Sequence, residues 1–281
     1  MADAAWVALS LIKHVGGKTL RALLTHFDDD PNAILRAEPN ALRAVPGVGA
    51  KIAAAIQQVD VVQTARAIER WQAAGVHIVT WRDADYPRTL HDLDDAPPTL
   101  FMRGAWRFEN DHPYLAAALV GTRTPTLASR IAVNQFASDF ARRKLVLVSG
   151  LALGIDTVAH QAALSHDGTT LAVLGGGILN IYPPQNRALA AQIMERGALL
   201  CEVQPDAAVS ASGLVARNRI ITGLCDRVII VETESDGGAM HAARFATMQG
   251  RALYALVNDA SGNRQLLNEG AQRIYPPFSA S

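Results

Sequence analysis

The sequence predicts an α/β protein in which a parallel sheet, covered by helices on both faces, follows a small all-helical domain. Three observations carry this. From about residue 112 onward, short apolar runs recur: YLAAALVG (114–121), LVLVSG (145–150), TLAVLGG (170–176), ALLCEV (198–203), RVIIVET (227–233) and ALYALVN (252–258). Strands buried on both faces read as near-continuous apolar runs, whereas a half-exposed strand alternates. Amphipathic stretches of helical length separate them, at 125–142, 155–166, 186–196, 213–225 and 237–249, and that rhythm is the one of a parallel sheet with crossover helices. Finally, 49% of the 281 residues are hydrophobic and 19% charged, which supports a sizeable core and excludes widespread disorder.

Residues 1–75 read as helical, broken by glycine turns. After Gly16–Gly17, Leu20, Leu23, Leu24 and Phe27 fall on one helical face. Pro46-Gly47-Val48-Gly49 then forms a tight turn, and Lys51 starts a helix whose Ile52 and Ile56 share a face. This resembles a helix-hairpin-helix, in which Gly47 and Gly49 keep backbone amides open to a phosphate and Lys51 adds charge. Unpaired N–H groups and the dipole at a helix N-terminus favour anions. The same turn equally suits a packing role in a small bundle. Residues 76–111 differ in composition. A short strand VHIVTW, a passage rich in Pro and Asp, and a second strand TLFMRG read as a linker that packs on the main domain of 112–281.

Right-handed crossovers place the C-terminal ends of all the parallel strands along one edge, where ligands bind in open α/β sheets. Gly121, Thr122 and Arg123 follow the first strand of that domain, and Ser149, Gly150, Leu151 and Gly154 follow the second. The third leads to a triple glycine containing Gly176 and on to Arg187; the fourth leads to a long loop carrying Arg217, Asn218 and Arg219. Glycine turns bring backbone amides close to a ligand, and guanidinium forks match phosphate oxygens. One phosphate needs one such cradle, so a row of them predicts several phosphates and hence a nucleic-acid strand. Lys+Arg and Asp+Glu both number 26, so basic groups must be concentrated in one groove rather than spread over the surface.

Other chemistries find less support. Gly175, Gly176 and Gly177 are adjacent, which is not the spacing of a dinucleotide fingerprint. No Ser-His-Asp set or metal-ligand spacing emerges, so neither a catalytic residue nor a cofactor is expected. Glu202, Glu232, Glu234 and Asp236 stand near strand ends, with nothing to single out one as a base. His160 reads as a packed helix residue and Asp156 as a helix cap. Cys201 and Cys225 lie in apolar surroundings without metal-like spacing. No apolar run reaches the ~18–20 residues of a membrane span, and no basic segment precedes an apolar one at the N-terminus; a cytoplasmic protein is expected.

In order, VGTR, VSGLALGIDTVAHQAAL, LAVLGGG, IYPPQN and RNRIITGL, with the late Gly-Gly helix entry, resemble the bacterial DNA-processing protein A (DprA/Smf) family over almost the whole chain. The resemblance implies a Rossmann-like domain preceded by a SAM-like, helix-hairpin-helix domain. It implies a non-enzymatic recombination mediator that binds and protects single-stranded DNA and dimerises. It also implies loading of RecA onto strands coated by single-stranded DNA-binding protein during natural transformation. By motif, Arg123 and the 149–154 turn would hold phosphates, with Arg217 and Asn218 lining the groove. Leu214-Val215 replaces the family's Phe-Pro, Pro184 stands where many members are basic, and DGGAMHAA keeps Gly237 without the family's hydroxyls. A C-terminal winged-helix-like domain found in many relatives is expected to be absent or trimmed. The alternative is an enzyme on a related fold, of the nucleoside-monophosphate phosphoribohydrolase type. LGGGILNIY lacks the Thr and Glu of that group's signature. The dimer surface is expected at roughly 225–265, where apolar runs outnumber charges.

Overall fold

The computed structural model describes residues 3–108 and 114–277. The boundary expected near 111–112 and the last four residues lie outside this range. Among the described residues, nine strands form one sheet: β1 His77–Thr80, β2 Thr99–Gly104, β3 Ala116–Val120, β4 Val146–Ser149, β5 Thr170–Val173, β6 Ala198–Cys201, β7 Arg227–Ile230, β8 Ala252–Leu256 and β9 Gln272–Ile274. Their order is β1-β2-β6-β5-β4-β3-β7-β8-β9. From β6 to β9 every pairing is parallel, while β1 and β2 are added antiparallel at the β6 edge.

The six expected parallel strands are present, and their residues divide by pleat. Ala118 pairs with Val148 and with Val228, and Val148 with Leu171. These four face one side, buried with Ile220, Met240, Ala243 and Leu266 under helices Asn218–Gly223, Ala239–Met248 and Ser261–Asn268. Leu119, Leu147 and Ile229 face the other side, under helices Leu127–Arg142 and Ile155–Ser165. Further along that second side, Ala172, Leu199 and Phe101 pack against helix Arg187–Arg196. Chain order runs outward from β3 in one direction through β4, β5 and β6, then returns to β7 on its other side. The reversal between β3 and β7 is the topological switch point, where a crevice opens at the strand C-termini.

The lead-in segment does more than pack on the main domain: β2 pairs with β6 in the register Phe101↔Cys201 and extends the sheet. The helical residues have a core of their own, including Trp6, Leu20, Leu23, Ile34, Leu42 and Ile56. Helices Ala4–Ser10 and Val61–Ala73 also cap the β1-β2 end, where Val7, Ile68 and Trp71 join the cluster of Phe101 and Leu199. Trp71 meets Phe101 edge-on at 5.4 Å between ring centroids. Arg21 lies 4.1 Å from the Trp81 ring centre and donates to the His91 carbonyl at 2.7 Å. A side chain at Gly17 would fall 2.3 Å from the Ala96 carbonyl oxygen, so the first glycine turn is packed against the lead-in.

Candidate nucleic-acid interface

The crevice is built from the loops that leave β3, β4, β5, β6 and β7. Gly121 ends β3 where a Cβ would lie 2.6 Å from Ile155 Cγ1 and 2.8 Å from the Glu232 carbonyl oxygen; glycine is required by contact. The loop is pinned on both flanks. Thr122 N–H donates to the Glu232 carbonyl at 2.7 Å, and its own carbonyl accepts from Ile155 N–H at 3.0 Å. Four residues on, the Glu232 carboxylate accepts from Thr126 N–H at 2.9 Å and from its hydroxyl at 3.0 Å. Thr126 in turn caps helix Leu127–Arg142. Arg123 stands on the crest between these ties, exposed and without an ion pair among the described residues.

The turn after β4 is equally constrained. Leu151 is buried with φ 60° and Gly154 has φ 83°, a left-handed stretch that costs energy at Leu151 and suits glycine at Gly154. A Cβ on Gly154 would meet the Thr122 carbonyl oxygen at 2.3 Å, so this glycine lets the Arg123 loop sit directly on the helix start. Ser149 is fully buried and its hydroxyl donates to the Leu119 carbonyl at 2.7 Å. It braces β3 against β4 and offers a ligand nothing.

Two expectations are corrected here. Arg217 does not present a free fork. Its Nη1 donates to the carbonyls of Gly150 and, at 2.7 Å, Val173, and Nη2 lies 3.5 Å from Asp156 Oδ2. With 7% exposure, it ties the ends of β4 and β5 to the loop after β6. Asp156 is not a helix cap; Gly154 occupies that position. The Asp156 carboxylate instead accepts from Ala152 N–H at 3.2 Å and faces Arg217. Burial pushes this carboxyl up and the guanidinium down, each opposed by the other's charge. Paired, they add almost no net charge to the crevice.

Two cavities meet at Arg123, Ala152 and Leu214. The smaller, about 40 Å³, is mainly apolar, with Leu153, Leu174 and Tyr182 in its wall. The larger, about 530 Å³, lies between Gly121, Thr122 and Asn218 on one side and the turn Asp236-Gly237-Gly238 on the other. Of the residues expected at the site, Gly121, Thr122, Arg123, Gly150, Gly176, Arg217 and Asn218 line one or other cavity. Ser149, Leu151, Gly154, Arg187 and Arg219 do not. Arg187 is exposed at the start of its helix. Arg219 is spent on Glu202 and, at 3.8 Å, Asp95. The triple glycine serves packing as well: a Cβ on Gly175 would fall 2.7 Å from Leu214 Cα, on Gly176 2.9 Å from Val209 Cα, and on Gly177 2.3 Å from the Pro205 carbonyl oxygen. These contacts bring the loop after β6 down over the crevice.

Gly47, Gly49 and Lys51 line neither cavity. They form an exposed hairpin tip, with Gly47 at φ 85°, Gly49 as the helix cap and open space where a Gly49 Cβ would stand. Sequence reasoning passed over Asn186, which donates to the Leu151 carbonyl and the Thr157 hydroxyl, both at 2.8 Å. It also assigned no role to Tyr182 and Leu153 at the apolar cavity, although they lie within the IYPPQN and VSGLALGID stretches.

A doubly covered parallel sheet with its crevice at the switch point, joined to paired glycine hairpins, defines a Rossmann-like protein with a SAM-like helix-hairpin-helix domain. A family model for a SAM-like helix-hairpin-helix tandem matches residues 8–58, and one for DNA recombination-mediator protein A matches residues 77–278. The chain belongs to the DNA recombination-mediator protein A (DprA/Smf) family. It is 35% identical over 279 residues to Protein Smf of Synechocystis, covering 97% of this chain and 70% of that one. It is 32% identical over 215 residues to DNA processing protein DprA of Bacillus subtilis, covering 75% of this chain and 72% of that one. Among solved structures, DprA from Streptococcus pneumoniae superposes with a TM-score of 0.81 at 25% identity, covering 98% of this chain and 95% of that one. DNA processing protein A from Helicobacter pylori, solved for its single-stranded DNA binding mode, gives 0.63 at 30% identity, covering 71% of this chain and 90% of that one.

Proposed function

We propose that this chain binds single-stranded DNA along the crevice at the strand C-termini and acts there as a recombination mediator without catalytic turnover. The observation that carries the reading is Arg123, exposed and without an ion pair among the described residues, at the junction of two cavities on the switch-point edge. Gly121, Thr122, Gly150 and Gly176 line the cavities around it, and Asn218 supplies a polar wall. Arg187 extends the positive path at the margin. Ser149, Leu151, Gly154 and Arg217 act one step back, by holding the loops that touch the strand. Arg219, neutralised by Glu202, contributes little. The binding mode named for the Helicobacter pylori relative supports the choice of a single strand.

In this reading the protein protects incoming strands, displaces or accompanies single-stranded DNA-binding protein, and loads RecA during natural transformation. It works as a homodimer through the Rossmann-like domain, with 225–265, where Met248 is 80% exposed, as the contact surface. The hairpin tip of Gly47, Gly49 and Lys51 is a secondary DNA contact.

A gel shift with a short oligo-dT, titrated with salt and paired with a duplex control, tests the groove. Counterion release predicts a log–log slope of about −0.7 per phosphate contact on a single strand. Arg123→Ala, at a surface position without an ion pair among the described residues, should weaken binding roughly tenfold, the value of one charge-assisted contact, and leave the melting temperature unchanged. Full affinity in that variant would refute the proposed groove.

A further inference from the structure

The larger cavity has the wrong balance of charge for a groove that only attracts a polyanion. Two arginines, Arg123 and Arg217, stand among its lining residues with three carboxylates, Asp156, Glu234 and Asp236. Arg217 and Asp156 lie 3.5 Å apart and cancel. What is left is Arg123 in the loop after β3 against Glu234 and Asp236 in the turn after β7. All three are exposed and without an ion pair among the described residues.

Packing gives one of these acids a task and leaves the other without one. Glu234 ties the turn after β7 to the start of helix Ser261–Asn268, accepting from the Ser261 hydroxyl and, at 3.4 Å, from its N–H. A glutamine oxygen accepts the same bonds without the charge. The Asp236 carboxylate makes no hydrogen bond among the described residues. It precedes Gly237 and Gly238, and Gly238 is the N-cap of helix Ala239–Met248, with open space where its Cβ would stand. A helix start draws anions through its unpaired N–H groups and its dipole. Here a fixed carboxylate stands beside the end that would otherwise draw a phosphate.

We infer that Asp236, with Glu234 beside it, limits the affinity of the crevice: the two repel the strand that Arg123 attracts, so that it is held from the β3 side and is free to leave. The inference rests on the single-strand reading above and adds to it a built-in means of release. No contact between carboxylate and DNA is required. Charges act on one another within the screening length, roughly 8–10 Å at physiological salt, and a cavity of about 530 Å³ has a mean width near that length. A uniformly basic groove retains its strand through many neutralised phosphates. A groove with acids in one of its walls suits a protein that passes its strand on.

The test is oligo-dT binding by the full chain, followed by fluorescence anisotropy at low and at high salt. Asp236→Asn, at an exposed position that does not threaten folding, should tighten binding roughly threefold or more at low salt. Adding Glu234→Gln should tighten it further. Both gains should vanish at high salt, where the charges are screened. Asp139→Asn is the control, because Asp139 lies about 20 Å along helix Leu127–Arg142 from Thr126; its affinity should match that of the unsubstituted chain. If Asp236 serves only the helix dipole, Asp236→Asn lowers the melting temperature and leaves affinity unchanged, which overturns the inference. An equal gain in Asp139→Asn, the mark of net charge alone, overturns it too. Binding by the unsubstituted chain with no gain in Asp236→Asn removes the inference and leaves the groove standing. If neither the unsubstituted chain nor the variants bind, both readings fall together.

Discussion

His160 shows how far burial alone decides a residue's role. It is fully buried on helix Ile155–Ser165, and its Nδ1 lies 2.7 Å from the Thr170 hydroxyl. That hydroxyl donates to the Leu147 carbonyl at 3.0 Å, so Nδ1 carries the proton and Thr170 accepts it. Loss of hydration, with a smaller push from Arg217, lowers the imidazole from 6.5 to about 3. The folded pKa lies below the unfolded one. The resulting stability is therefore complete above about pH 6.5 and drains away as pH falls toward 3. The loss is on the order of 1.4 kcal/mol per pH unit across that window. Urea midpoints at about pH 7 and about pH 5 should differ more in the native protein than in His160→Asn, which cannot charge. Equal pH sensitivity in the two would contradict the assignment. The packed role of His160 was legible from the apolar helix around it. The partnership of Arg217 and Asp156 was not, because they are 61 positions apart and only the stacking of β4, β5 and the loop after β6 brings them together.

At the scale of elements, periodicity located every strand of the main domain except β9, whose Gln-Arg-Ile has two exposed residues and little apolar signal. Segment 213–225 reads as one helix but is divided at Arg217 into Ala211–Ala216 and Asn218–Gly223. The division is slight: Arg217 keeps helical dihedrals, φ −59° and ψ −24°, its N–H donates to the Gly213 carbonyl at 3.0 Å and its carbonyl accepts from Ile221 N–H at 3.1 Å. Glycines were read as phosphate cradles, yet several are there because loops lie upon them, a distinction that needs coordinates. Gly154 makes both demands, with φ 83° and the Thr122 carbonyl oxygen 2.3 Å from a would-be Cβ. Gly154→Ala should cost ~1–3 kcal/mol through backbone strain and displace the Arg123 loop. Affinity for oligo-dT should fall even at temperatures where the variant stays folded. Unchanged affinity with unchanged stability would show the contact to be slack.

For the whole molecule, composition separated a helical N-terminal part, a lead-in and an α/β part, but the helical part, besides its own core, sends residues into that of the sheet. Trp6 Nε1–H donates to the Pro98 carbonyl at 3.0 Å, and Trp71, Ile68 and Val7 share a cluster with strands β2 and β6. Shared apolar contacts of this kind couple unfolding. Calorimetry should record one transition for the full chain; two separated transitions would refute the coupling. Formal neutrality, with 26 basic and 26 acidic groups, is compatible with a local anion path because cations such as Arg219 are quenched by neighbours while Arg123 is not.

The two glycine hairpins of the helical part have unequal surroundings. Gly17 is buried against Ala96, whereas Gly49 opens onto solvent beside exposed Lys51. A twin-pronged grip, with one hairpin on each chain of a double helix, is therefore closed to this arrangement unless the lead-in lets go of its prong. What remains open is the second tip alone, in a helical part whose residues Val7, Ile68 and Trp71 pack against the sheet that bears the crevice.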